Sequence, residues 1–192
     1  MTEKPILFSA AMIEQILAGN KTQTRRLIKS KGLDGHGCMQ PWVCPYGKVG
    51  DSNKSRLWVR EAHAIVPRTA YVCSIDDGVN QLPHRVSPDG LSWAVYRQGW
   101  TRCTPGKWRP SIHMPRWACR LVLDVKEIRA ERLQDITVED IIAEGFSTRL
   151  REHDAVCDLR DQFAAAWDKI HGTGAYKKNP WVWVVSFEVV KA

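Results

Sequence analysis

The sequence predicts an α+β fold in a single domain, and three observations carry that reading. Apolar residues recur at helical spacing in only three stretches. Several alternating or apolar runs lie far apart in sequence, so strands and helices do not form a repeating β-α unit. The chain has 192 residues, 44% of them hydrophobic and 26% charged, enough to bury a core without disulfides or a metal.

Ile6-Leu7-Phe8 reads as a short strand, with Ser9 placed to cap the next helix. Met12, Ile13, Ile16 and Leu17 give an amphipathic helix over residues 10–18, stopped by Gly19-Asn20. Lys21 to Leu27 is Thr-rich and extended. Residues 30–55 carry many turn formers and read as loop. Arg56-Leu-Trp-Val-Arg-Glu61 reads as a strand. Residues 66–110 contain five of the ten prolines and read as an elaborated, loop-rich insertion. Trp117 to Ile128 predicts a strong strand. Thr137 caps a helix ending near Glu144-Gly145, a second helix spans about 153–170 with Val156, Leu159, Phe163 and Trp167 on one stripe, and Trp181 to Val190 closes the chain as an apolar strand.

Composition narrows the function classes. No run approaches the roughly 18 apolar residues of a membrane span, and the first residues lack a signal-peptide pattern, which places the protein in the cytoplasm. The six cysteines are irregularly spaced and are expected to stay reduced there. A net charge of +7 favours a polyanionic partner. Nine tryptophans supply core filling first and base-stacking surfaces second. His36, Cys38 and Cys44, with His63 or Cys73 at a distance, are zinc-ligand types, but no C-x2-C spacing occurs and the sequence calls for no metal and no cofactor.

Four constellations carry candidate chemistry. Lys21-Thr-Gln-Thr-Arg-Arg26 follows a helix end. Lys21 supplies a cation or, desolvated, a base. Thr22 and Thr24 supply hydroxyls, and Arg25 and Arg26 supply forks for oxyanions. On a flat strand, positions 21 and 24 point to opposite faces, so Lys21 and Thr24 share a site only if the chain bends between them. Glu144 stands at a helix C-terminus, where the helix dipole disfavours negative charge unless a cation such as Lys21 compensates. Trp108-Arg-Pro-Ser-Ile-His-Met-Pro-Arg-Trp117 interleaves aromatic and basic groups, with His113, Arg116 and Trp117 as ligand-binding candidates. Arg60-Glu61 ends a strand, either as a surface pair or as part of a pocket.

These segments, together with Lys4-Pro-Ile-Leu-Phe-Ser9, Cys44-Pro-Tyr-Gly47, Arg132-Leu-Gln-Asp-Ile136 and Asn179-Pro-Trp-Val-Trp183, resemble the larger ASCH-domain proteins common in bacteriophages and prophages. The resemblance runs from residue 4 to 187 and is weakest over about 66–106. It implies a PUA-like small mixed β-barrel with flanking helices, one domain over 1–192 with the insertion at about 66–110. It implies RNA or a modified nucleoside as ligand. Small bacterial relatives of the family hydrolyse the acetamide of N4-acetylcytidine, and their catalytic lysine, threonine and glutamate correspond to Lys21, Thr24 and Glu144. The resemblance therefore points to an amidohydrolase acting on such a nucleoside. The alternatives are a non-catalytic RNA-binding or other nucleic-acid-binding module, or a ribonuclease using His113 and Lys21 as acid and base. No membrane partner is implied, and oligomeric state is left open.

Overall fold

A computed structural model describes residues 2–28, 44–47, 55–70, 85–101 and 104–190. The chain forms eight strands and three α-helices among these residues. In order they are β1 (Thr2–Leu7), α1 (Ala10–Leu17), β2 (Gln23–Leu27), β3 (Ser55–Arg60), β4 (His63–Pro67), β5 (Arg85–Val86), β6 (Ser92–Tyr96), β7 (Val122–Arg132), α2 (Val138–Ala143), α3 (Glu152–His171) and β8 (Trp181–Val190). The α+β class stands.

Five strands make one sheet in the order β1-β3-β7-β8-β2, and β4-β6-β5 make a second. The first is mixed, with β1 and β3 parallel and the remaining pairs antiparallel. Among the described residues its ladder does not close, and this corrects the barrel expectation. The edges β1 and β2 are joined by a side chain instead: Arg26 Nη2 donates to the Leu7 carbonyl at 2.5 Å. A guanidinium lying on the Phe8 ring occupies the seam where a backbone ladder would otherwise form.

Two cores flank this sheet. On one face Ile13 and Ile16 of α1 pack with Ile6, Leu57, Val59, Leu123, Val125, Ile128, Val185 and Phe187. On the other, α2 and α3 cover Leu133, Val182 and Val184 with Ile141, Leu159, Phe163 and Trp167. Strand β7 contributes to both arrangements through a β-bulge between Val125 and Glu127. One extra residue reverses side-chain parity. Leu123 and Val125 precede the bulge and face the first core, as do Ile128 and Ala130 beyond it. Arg129 and Glu131 are thereby turned to the opposite face, toward α2.

Residues 66–110, expected to be loop-rich, hold short strands within their described part. Their described part includes β5, β6 and the end of β4, and Ala94 and Tyr96 pack against Met114, Ala118 and Val122. Residues 71–84 and 102–103 lie outside the described residues, as do 29–43 and 48–54 of the stretch expected to be loop. The strand expected from Trp117 begins only at Val122. Arg116–Ala118 is a 3₁₀ turn whose exit carbonyls are taken by side chains: Tyr96 donates to Ala118 O at 2.7 Å and Arg85 to Cys119 O at 3.1 Å. Cys44 and Cys119 are free thiols; Cys38, Cys73 and Cys103, and His36, lie outside the described residues. No helix among the described residues is long and apolar enough to cross a membrane.

Two helix ends share one type of closure. At α1, Gly19 N–H donates to Ile16 O and Asn20 N–H to Gln15 O, a Schellman closure with Gly19 at φ 78°. At α2, Gly145 N–H donates to Ile142 O and Phe146 N–H to Ile141 O, with Gly145 at φ 94°. Gly145 also lies against the α1 end: an added Cβ would stand 3.0 Å from Gln15 Cβ and 3.2 Å from Lys21 Cβ. Left-handed strain and close contact act together there, so Gly145→Ala is expected to lower unfolding stability by roughly 1–3 kcal/mol, read as a lower urea midpoint.

Candidate functional site

The two helix ends meet at Lys21 and Glu144. Their backbones form an isolated antiparallel bridge. Thr22 N–H donates to Ala143 O at 2.8 Å, and Phe187 N–H donates to Thr22 O at 2.8 Å. The Thr22 backbone therefore ties the end of α2 to β8 while its side chain is exposed. Because regular pairing of β2 starts only at Gln23, the chain turns between Lys21 and Thr24. Both side chains are 2% exposed, and both line one cavity of about 780 Å³.

Lys21 Nζ donates to the Glu144 carboxylate at 2.5 Å and to the Glu144 carbonyl at 2.8 Å. The second bond satisfies a carbonyl at the α2 C-terminus, and the ammonium sits where the helix dipole is negative. Taking both charges out of water costs several kcal/mol per ion, which the short contact and the additional hydrogen bonds offset. Burial lowers the Lys21 pKa; Glu144 opposes the shift, while Arg26 and Arg25 add to it. An amine so placed gives up its proton more readily than a free lysine does.

Behind this pair lies a second layer of charge. Arg25 donates to Glu131 at 2.5 and 3.0 Å, to Asp140 at 2.8 Å, to Gln23 Oε1 at 2.7 Å and to Glu144 at 3.4 Å. Arg129 pairs with Glu131 at 3.1 Å and with both Asp140 oxygens at 3.0 Å. Burial pushes the Asp140 carboxyl up, but Arg25, Gln23 and Arg129 outweigh it and hold the group below the usual aspartate value. Lys21, Arg25 and Arg129 thus face Glu131, Asp140 and Glu144, with the more exposed Glu127 also 3.6 Å from Arg129. Asp140 also receives the cap geometry expected of it, its N–H bonding Thr137 Oγ1 at 3.2 Å.

The cavity draws on α1, β2, the end of α2 and α3, alongside the edge strand β2. Met12, Phe146, Phe163, Trp167 and Ile170 give it apolar walls. Of the residues named from sequence, Lys21, Thr24, Arg25, Arg26 and Glu144 line it. Among the described residues the Thr24 hydroxyl has no hydrogen-bond partner, whereas Arg25 is committed to the carboxylates behind the wall.

Arg60, Glu61, His113, Arg116 and Trp117 do not line this cavity. Glu61 is buried in a two-bond ion pair with Arg120, at 2.9 and 2.8 Å. Burial pushes the Glu61 carboxyl up, and Arg120 opposes that. Arg120 in turn stacks on Tyr96, 4.2 Å from its ring centre, tying the small sheet to the large one. Arg60 lies over the Trp58 ring at 5.0 Å and Arg116 pairs with Glu3 at 2.8 Å. His113 is exposed and Trp117 packs beside Met114 and Ala118.

Sequence reasoning missed the α3 contribution. Trp167 and His171, one helical turn apart, stack with ring centres 4.2 Å apart and both line the cavity. The stripe of Phe163 and Trp167 read as core, and it is core as well. The i, i+4 placement of His171 was the available signal.

No protein-family model and no curated protein matches the chain. A crystal structure of an ASCH domain from Lactobacillus crispatus JV V101 aligns with it at a TM-score of 0.44 and 10% sequence identity, spanning 100% of this chain and 81% of that one.

Replacing Arg25 leaves three carboxylates facing one another with a single remaining cation on each side. Arg25→Met is expected to cost roughly 3–5 kcal/mol of stability, seen in urea unfolding as a lower midpoint with an unchanged slope.

Proposed function

We propose that this chain is an ASCH-domain amidohydrolase that removes an acyl group from a modified nucleoside such as N4-acetylcytidine. The observation that carries the reading is the convergence of Lys21, Thr24 and Glu144 on one cavity. These are the three positions at which the sequence resembles the catalytic residues of the small nucleoside-deacetylating ASCH proteins. The cavity volume suits a nucleoside, and its aromatic and aliphatic walls suit a flat base.

The chemistry comes from the roles these groups can hold. Thr24 Oγ adds to the acetyl carbonyl while its proton passes through one bridging water to neutral Lys21. The C–N4 bond then breaks, and the Lys21–Glu144 pair returns a proton to N4, releasing cytidine. Water cleaves the acetyl-threonine ester, gives acetate and restores the Thr24 hydroxyl. Glu144 keeps Lys21 oriented throughout through its carboxylate and its own carbonyl. In sum, acetamide and water give amine and acetate, with no oxidant or cofactor in the balance.

Incubation with N4-acetylcytidine is expected to yield cytidine and acetate in equal amounts. Thr24→Ala, Lys21→Ala and Glu144→Ala should each lower kcat/KM by about 10²-fold or more. Absence of cytidine at micromolar wild-type enzyme would sink the proposal.

The pH profile provides a separate check. The reaction uses deprotonated Lys21, whose pKa lies below the free-lysine value of 10.5. The rate should therefore rise with pH and level off before pH 10.5 is reached. A limb centred at or above that value would remove Lys21 as the base.

A further inference from the structure

Two cations at the cavity are left over once Lys21 and Arg25 have met their carboxylates, the exposed Lys169 and the half-buried Arg26. Among the described residues no carboxylate lies within ion-pair distance of Arg26. Its Nη2 is held by the Leu7 carbonyl at 2.5 Å, its guanidinium lies on the Phe8 ring at 5.0 Å, and its buried Nε has no partner. Burial disfavours its charge, and it stands close enough to Lys21 to disfavour that charge as well. The Leu7 bond and the Phe8 stack use one nitrogen and the face of the guanidinium, and leave Nε of this cavity-lining side chain without a partner. Arg25, one residue earlier, shows what the fold does with a structural arginine: it meets three carboxylates.

The rest of the lining leans the same way. Lys169 and His171 stand on the last turn of α3 at the same cavity. With Lys21 and Arg25 set aside alongside the carboxylates they already meet, the charged walls are Arg26 and Lys169 against Glu14, two cations to one carboxylate. Glu144 is already engaged by Lys21 and Arg25. Glu14 is exposed on α1.

We infer that Arg26 is the oxyanion anchor of the cavity, so that a ligand carrying a phosphate, a nucleotide or an RNA chain, is preferred over the neutral nucleoside. This rests on reading the cavity as the ligand site but not on the deacylation chemistry. A guanidinium already fixed at one nitrogen and against one ring is pre-oriented, which limits the entropy lost when an oxyanion arrives. Phosphate also supplies the negative charge that the cavity lacks, bringing charge-assisted hydrogen bonds.

The test compares cytidine with cytidine 5′-monophosphate by titration calorimetry at low salt, using the whole chain. The monophosphate should bind at least about 10-fold more tightly, consistent with charge-assisted hydrogen bonds in a partly buried site. Inorganic phosphate alone should compete with it. Arg26→Gln should reduce the advantage to below about 2-fold, and Arg26→Lys should keep part of it as a point charge. Arg132→Gln removes the same net charge at an exposed position outside the cavity, and should leave the advantage in place. A short oligoribonucleotide separates the two sources of phosphate. Affinity that keeps rising with length and falls steeply with salt assigns the anchor to an RNA chain; affinity complete at the monophosphate assigns it to a nucleotide. Equal wild-type binding of cytidine and its monophosphate overturns the inference, as does an advantage that survives Arg26→Gln. Deacetylation assays on N4-acetylcytidine and its 5′-monophosphate run beside these. Phosphate-dependent binding without turnover overturns the hydrolase and leaves the anchor. Turnover with equal KM for the two substrates overturns the anchor and leaves the hydrolase.

Discussion

The contact between Lys21 and Glu144 is the interaction on which the rest of this structure depends. It joins two helix ends more than a hundred residues apart in sequence, with Lys21 Nζ reaching both the carboxylate and the carbonyl of one residue. A buried lysine alone would be neutral or would drag water inward, and a buried glutamate at a helix C-terminus would be repelled by its own helix. Together each removes the other's penalty. The backbone bridge between the same two residues means that their separation is set by main-chain geometry rather than by side-chain freedom. That is the condition a reacting pair needs, because displacement by an ångström is enough to lose hydrogen-bond reach.

Such an arrangement places demands on its surroundings. Both helices must end within a turn of the contact, and the paired Schellman closures at Gly19 and Gly145 provide this. The carboxylate must not be drawn away from Lys21 by a stronger cation. Arg25 is near enough to do so, but it is held mainly by Glu131 and Asp140 at shorter distances than its 3.4 Å to Glu144. Glu131 is available only because the bulge in β7 turns it to that face. A bulge in one strand and a first-turn aspartate in a short helix thus fix the electrostatics of a lysine outside both. Polar networks of this kind are stabilising only when every member is satisfied, and here Lys21, Arg25 and Arg129 each meet at least one carboxylate.

Much of this was legible in the sequence, and the reasons differ from element to element. Helices α1 and α3 show in the spacing of Ile13 with Ile16 and of Leu159, Phe163 and Trp167, because a helix buried on one face must carry that period. Glu144 stood out because it violated a local rule, and local violations are where distant partners act. The bend between Lys21 and Thr24 could be required but not placed, since it comes from Thr22 bonding to Ala143 and Phe187. Arg25 and Arg26 look alike as letters. One is absorbed into a carboxylate network and the other is left at the cavity, and only their alternation across β2 decides which. Glu61 reads as half of an adjacent pair with Arg60, yet its partner is Arg120 on the approach to β7, a pairing that no local pattern encodes.

The open seam between β1 and β2 links the fold to the site. Among the described residues β2 is an edge strand of the five-stranded sheet. Here the edge is spanned by one guanidinium on one aromatic ring, and the cavity runs beside that same strand. Edge strands normally carry devices that block further pairing. Arg26 performs that task with a long cationic side chain, and the same side chain brings a positive charge to the cavity wall. Charge is itself a device that blunts an edge, and here it also holds the guanidinium on Phe8 while facing the cavity. Its position beside Lys21, where like charge is otherwise unfavourable, makes sense for a site that spends part of its cycle holding an anion.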